Sequence, residues 1–264
     1  MHPIKSLKVI RQKRLMCNIQ KNKFGRKLRS VKDIHKGERC FIVANGPSLT
    51  LDDLNTLYKN KEYTFGMNRI FKFFDKTEWR PTFYVCEDIN IFNDSIDAIN
   101  SISSDMKFIP INHHFYDNIN VEGAYYFLPN YDRKMDFPNS FSTDISKQID
   151  SLGTVTFTCI NIAAYMGFSE IYLLGVDNNY RVTIDDEGNT VVDNEARDYF
   201  CDDYDEDIKD IVIHDMGANN RAYRKAKCAC DEMGIKIFNA TRGGKLEVFP
   251  RIGFDSLFEE VSEN

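Results

Sequence analysis

The chain has 264 residues, 42% of them hydrophobic, with a formal net charge of −6. That is enough for one large core or two modest ones, and no apolar run approaches the roughly 18 residues of a membrane span, so a soluble or at most peripheral protein is expected. Charge is unevenly spread: residues 1–39 hold 13 of the 34 Lys and Arg but two of the 40 acids, leaving an arm of +11 and a body of −17.

In chain order, the start Met1-His2-Pro3-Ile4-Lys5 runs into further Lys and Arg without the apolar stretch of a secretory signal, which predicts a cytoplasmic protein. Residues 1–38 read in two ways: an arm drawn to anionic lipid at the inner face of a membrane or to acidic glycan, or a leader helix packing on its own acidic body. Positive charge confined to the arm, with no aromatic–basic interleaving elsewhere, argues against a nucleic-acid partner. Seven scattered cysteines suit reduced thiols, and the one-residue spacing of Cys228 and Cys230 is poor for zinc, so no metal site is read.

From residue 39 onward, β-rich runs alternate with helical patterns. Strands are predicted over 39–45, 63–68, 82–87, 107–111, 124–128, 170–175 and 235–239, and helices over 49–58, 91–102, 155–166 and 218–233, the last closed by Gly234. The alternation predicts an α/β fold with a doubly wound, mainly parallel sheet and helices on both faces. The domain reading is a basic arm over 1–38 and a single body over 39–264. Between Asp177 and His214 the pattern dissolves into acidic, polar sequence, which reads as a lid insertion over about 178–213.

Phe41-Ile42-Val43-Ala44-Asn45-Gly46-Pro47-Ser48-Leu49 reads as a buried strand, a tight turn and a helix start, with Ser48 as the expected N-cap and free turn amides facing a ligand. Asn45, Asn68, Glu87, Asp88, Gly175 and Asp177 end or follow strands, and Thr154 opens a helix. Polar groups at consecutive C-terminal strand ends suit a nucleotide: amides for base and ribose, carboxylates for ribose hydroxyls or a metal. Each taken singly is equally a capping or turn residue.

Asn45-Gly46-Pro47-Ser48-Leu49, Gly66-Met67-Asn68-Arg69, Gly153-Thr154 and the run from Gly167 to Asp177 resemble the bacterial lipooligosaccharide sialyltransferases and the wider 6-hydroxymethylpterin diphosphokinase-like superfamily of surface-polysaccharide loci. Asn239-Ala240-Thr241-Arg242-Gly243-Gly244 is similar to the wider group. The resemblance, over about 39–249, implies a Rossmann-like fold and a glycosyltransferase moving a sialic-acid-like nonulosonate from a CMP donor to a glycan or glycolipid acceptor. It implies Asn45, Gly46 and Asn68 as donor contacts, and of the family's cytidine turn only Thr154 carries over. The family's phosphate-touching tyrosine falls on Asn179, with Tyr180 one position late, and its histidine base falls on His214.

An inverting transfer needs a base near neutral pKa and donors for the departing phosphate. His214 fits the first role, with a structural capping role as the alternative. Tyr180, Arg242 and the amides of Gly46 or of Gly243 and Gly244 are candidates for the second. His113 and His114 read as a loop, on the acceptor side or merely at the surface. Magnesium is optional for a phosphate leaving group, and a homo-oligomer is compatible with the sequence. Two rival readings are a pterin diphosphokinase binding Mg-ATP through Glu87 with Asp88, or Asp177 with the lid, and a noncatalytic scaffold docked by the basic arm.

Overall fold

The computed structural model describes residue 14 and residues 18–130, 141–184, 188–201, 203–204 and 213–259. Seven strands, all parallel, form the central sheet: β1 (Arg39–Val43), β2 (Tyr63–Met67), β3 (Phe83–Val85), β4 (Met106–Pro110), β5 (Tyr125–Phe127), β8 (Glu170–Leu174) and β12 (Lys236–Asn239). Their order is β12-β8-β1-β2-β3-β4-β5. The seven predicted strands are these seven; six are one to three residues shorter than predicted, and β4 is shifted by one residue toward the N-terminus, Ile111 opening a helix instead.

Alternation along each strand feeds two cores. Cys40, Ile42, Phe65, Val85 and Phe108 face one apolar cluster, and Phe41, Val43, Tyr84, Cys86 and Ile109 face the other. Strands buried on both faces are therefore near-continuously apolar. Helices cover both sides: α2 (Leu51–Lys59) and α3 (Ile89–Ser101) on one, α5 (Val155–Met166) and α6 (Met216–Glu232) on the other. Two further α-helices among the described residues are short, α1 (Lys23–Arg29) and α4 (Ile111–Tyr116). The fold is an open, doubly wound α/β sheet.

The described part of the basic segment is packed rather than extended. Ile19, Leu28 and Val31 are buried, and the amides of Asp33, His35 and Gly37 bond the carbonyls of Tyr165, Met166 and Gly167 at the C-terminal end of α5. The His35 ring stacks on Phe168 at 4.7 Å.

Two small sheets lie outside the main one: β6 (Pro129–Asn130) with β7 (Ile149–Asp150), and β10 (Thr190–Val192), β9 (Val182–Ile184) and β11 (His214–Asp215) in the order β10-β9-β11. The second corrects the expectation of a patternless insertion, because strands of two or three residues carry too little periodicity to stand out in polar sequence. Positions 185–187, 202 and 205–212 of the predicted lid lie outside the described residues.

Candidate functional site

The strand order reverses between β1 and β8: the chain walks from β1 toward β5, then returns to place β8 and β12 on the other side. Ligands of open α/β sheets bind outside the carboxyl ends of the strands at such a reversal. Gly46 leaves β1 there and Asp177 follows β8. A Cβ on Gly46 would lie 2.5 Å from the Gly175 carbonyl oxygen and closer still to Asp177 Oδ2, so only glycine fits. The Asp177 carboxylate accepts the Ser48 hydroxyl at 2.8 Å and the Ser48 amide at 3.4 Å. Burial pushes the Asp177 carboxyl up, and the Ser48 donors pull it partly back.

These contacts correct the reading of the turn as a phosphate cradle. The Gly46 amide donates to Gly175 O at 2.9 Å, Ser48 N–H to Asp177, and Leu49 N–H to Gly46 O at 3.1 Å. The N-cap of α2 is Thr50, not Ser48, and it forms a capping box with Asp53. Ser48 is held by a carboxylate 129 positions away. Gly244 packs against the backbone of Asp177, so its Cα face is spent there as well.

A cleft of about 640 Å3 opens beside this junction. Its lining brings together ten of the predicted residues: Asn45, Gly46, Asn68, Glu87, Asp88, Thr154, Gly175, Asp177, Tyr180 and His214. Pro47 and Ser48 lie in the turn but outside the lining, and Arg242 is elsewhere. Arg242 Nη1 pairs with buried Asp53 at 2.5 Å and Nη2 with Asp255 at 2.9 Å, a tie between α2 and the C-terminal segment. That pairing, across about 190 positions of sequence, removes Arg242 from the phosphate role.

Asn45 donates Nδ2 to Met67 O at 3.1 Å and leaves Oδ1 buried without a partner. Asn68 and Asn178 also have unpartnered buried Oδ1 atoms, and both have left-handed backbones, φ 50° and 49°. Asn tolerates that conformation better than most residues. Half-buried Glu87 accepts Thr158 Oγ1 at 2.7 Å and Ser151 Oγ at 2.9 Å; burial pushes its carboxyl up and these hydroxyls pull it back. Thr154 caps α5, accepting Thr156 N–H at 3.3 Å, so the positive end of that helix dipole meets the cleft. Asp88 caps α3 and Asp215 caps α6.

His214 lies on β11, in register with Thr183 of β9, and its ring stacks on Tyr180 at 3.7 Å and 12°. Nε2 is buried and unpartnered. Burial pushes the imidazole pKa below its usual value, against a smaller upward pull from Asp198. His214 is therefore neutral near pH 7 and able to take a proton. Tyr180 belongs to His214 rather than to a separate position, and burial pushes its phenol strongly upward. Asn179 also lines the cleft. His113 and His114 sit in α4, not a loop. His113 bonds Asp117 at 2.7 Å and the Glu87 carbonyl at 2.9 Å, so it braces the strand end that carries Glu87.

Sequence reasoning passed over Arg69, Asn178, Tyr199 and Tyr204. Arg69 is fully buried; Nη2 pairs with Asp94 at 3.2 Å, Nη1 donates to Tyr204 O at 3.1 Å, and its amide donates to Tyr204 OH at 3.4 Å. Phe200 stacks on Phe73 at 3.7 Å and its amide donates to Asn45 O at 3.0 Å; Tyr199 stacks on Tyr204 at 3.8 Å. The described part of the insertion is thus sewn onto the exits of β1 and β2. Arg after the β2 asparagine and three tyrosines or phenylalanines within six positions were the available signals.

Fold and cleft together define a doubly wound α/β protein with a switch-point pocket. The chain belongs to the MptE-like family, described as 6-hydroxymethylpterin diphosphokinase MptE-like, whose model matches residues 13–183. The superfamily resemblance read from the motifs is the one found. Among solved structures, a MAf glycosyltransferase from Magnetospirillum magneticum AMB-1 is similar in fold, with a TM-score of 0.55 and 17% identity over 90% of this chain and 39% of that one. The chain therefore spans about two fifths of that glycosyltransferase. The sialyltransferase CstII from Campylobacter jejuni, solved in complex with a substrate analogue, cytidine-5'-monophosphate, matches with a TM-score of 0.42 and 15% identity over 81% of this chain and 84% of that one. No curated protein sequence matches the chain.

Proposed function

We propose that this protein is a glycosyltransferase that binds a nucleotide-sugar, a CMP-linked nonulosonate being the favoured donor, in the switch-point cleft and passes the sugar to a glycan or glycolipid acceptor, with His214 as general base. One observation carries the reading: Asn45, Asn68, Asn178 and His214, each with a buried side-chain polar atom that lacks a partner, all line a single cleft. Buried polar atoms cost free energy until something bonds them, and a polar ligand of nucleotide-sugar size supplies the partners. In this mechanism Nε2 of neutral His214 takes the acceptor hydroxyl's proton as the acceptor oxygen attacks the anomeric carbon. The sugar–phosphate bond breaks with inversion, and the nucleotide phosphate departs toward the N-terminal end of α5.

The family's name points instead to ATP and magnesium. Among the described residues no group of three or more His, Cys, Asp or Glu is placed to hold a metal ion, and Asp177 and Glu87 already accept hydroxyl donors. These residues do not fit a dedicated metal site. The two chemistries separate in a thermal-stability titration with CMP, CDP, UDP and ATP, each with and without magnesium. Metal-independent stabilisation by CMP or UDP is expected; stabilisation by Mg-ATP alone assigns the diphosphokinase chemistry, and no response to any nucleotide overturns the nucleotide site.

A further inference from the structure

The first turn of α6 lines the cleft through Ala218 and Asn219, and a neighbouring face of the same helix opens a second groove, of about 560 Å3, against the segment 245–248. Asn220 stands on the divide between them: its Oδ1 accepts Asn178 Nδ2 at 3.0 Å, and Asn178 lines the cleft. From Asn220 the groove follows Arg224, Lys227 and Asp231, whose spacing of four, three and four keeps them on one helix face. The opposite wall is braced. The Lys245 amide donates to Asp177 O at 2.7 Å, and Arg251 ties the carbonyls of Gly243, Gly244 and Leu246 to the Glu247 carboxylate.

The body beyond the arm carries −17, yet this groove is positive. Lys227 pairs with Asp231 at 2.6 Å and Arg251 with Glu247 at 2.6 Å, which cancels both acids of the lining. Arg224 and Lys245 remain. Both are exposed, and among the described residues neither side chain has a hydrogen bond or ion pair. A free guanidinium and a free ammonium on facing walls of one groove suit an anion: the guanidinium fork matches carboxylate and phosphate oxygens, and the ammonium adds a point charge.

We infer that the groove between α6 and residues 245–248 holds an anionic stretch of the acceptor glycan, bearing carboxylate or phosphate, while the hydroxyl to be glycosylated reaches His214. The inference rests on the glycosyltransferase reading and names the acceptor class. His214 precedes α6 by two positions, and Arg224 lies eight residues beyond Met216, about 12 Å along the helix axis. A glycan with its end at Nε2 therefore runs out along that helix face, over Asn220, and meets the two cations.

The test compares the parent chain with the double variant Arg224→Gln/Lys245→Gln, both exposed positions, and with Lys32→Gln/Lys36→Gln, an equal loss of charge from exposed sites on the basic segment. Affinities for oligogalacturonate, a glycerol-phosphate oligomer, neutral maltooligosaccharide and an oligodeoxythymidylate are measured by calorimetry at low and high salt, beside affinities for CMP, UDP and ATP. Thermal unfolding confirms that each variant folds. The parent is expected to bind at least one of the two charged saccharides, more weakly at high salt, and to bind the neutral one at least tenfold less well. Arg224→Gln/Lys245→Gln should lose about tenfold for that charged saccharide, the size of two exposed charge pairs, with nucleotide affinity unchanged. Preference for galacturonate assigns carboxylate to the acceptor, and preference for the glycerol-phosphate oligomer assigns phosphate. Binding of neither charged saccharide, equal affinity in parent and groove variant, an equal loss in Lys32→Gln/Lys36→Gln, or oligodeoxythymidylate bound as tightly as the saccharides overturns the inference and leaves the nucleotide site standing. Charged saccharide bound through Arg224 and Lys245 by a chain that binds no nucleotide overturns the acceptor role together with the transferase reading.

Discussion

His214, the proposed base, and Gly46, at the turn after β1, both line the cleft. Because burial lowers the His214 pKa, the neutral, proton-accepting form predominates down to about pH 6.5 and below, and activity should fall only as pH drops through the lowered value. His214→Ala should leave nucleotide affinity within a few-fold while turnover falls about a hundredfold or more, the usual size of a general-base contribution; single-turnover rates beside calorimetric affinities check it, and unchanged turnover removes His214 from the mechanism. Gly46 is a matter of space. Gly46→Ala should lower stability by about 1–3 kcal/mol as the methyl meets Asp177 and the Gly175 carbonyl, and combining it with Asp177→Ala should cost less than the two singles together. A denaturant-based double-mutant cycle reads that coupling, and strict additivity would show that the two do not share the space.

At the scale of elements, what the sequence reveals depends on how far apart the interacting partners are. All seven sheet strands and the 155–166 helix were legible because burial on both faces writes itself as local apolar runs. The start of α2 was misplaced because Ser48 looks like a cap until Asp177 takes it, and Arg242 looked like a free cation until Asp53 did. The cleft was legible as a set of strand ends, whereas Arg69, Tyr199 and Tyr204 were not, since their value comes from a contact across 135 positions between the β2 exit and the insertion. That contact has a consequence for dynamics. Arg69→Met should free Tyr204 O, while the backbone amide still reaches the Tyr204 hydroxyl, and should speed amide hydrogen exchange at Tyr199, Phe200 and Tyr204, while β1 and β2 keep their protection. Uniform acceleration throughout the sheet would mean that Arg69 serves global stability rather than the insertion.

For the molecule as a whole, ligand binding and stability are one measurement. A nucleotide held at about 100 times its dissociation constant adds roughly 2.7 kcal/mol, a rise of about 5–10 °C in the unfolding temperature for a chain of this size, so the titration proposed above has ample range. The charge asymmetry has a partial structural counterpart: residues 18–38 lie against the body, with Lys27 bonding the carbonyls of Gly123 and Ala124. Among the described residues no helix is long and apolar enough to cross a membrane.

The stretch 33–37 is buttoned to the C-terminal end of α5, whereas the cleft opens at that helix's first turn. Twelve helical residues at 1.5 Å each put about 18 Å between the two poles. A support gripping the protein by that stretch would therefore hold it at the pole opposite the cleft, leaving the proposed binding site at the far end.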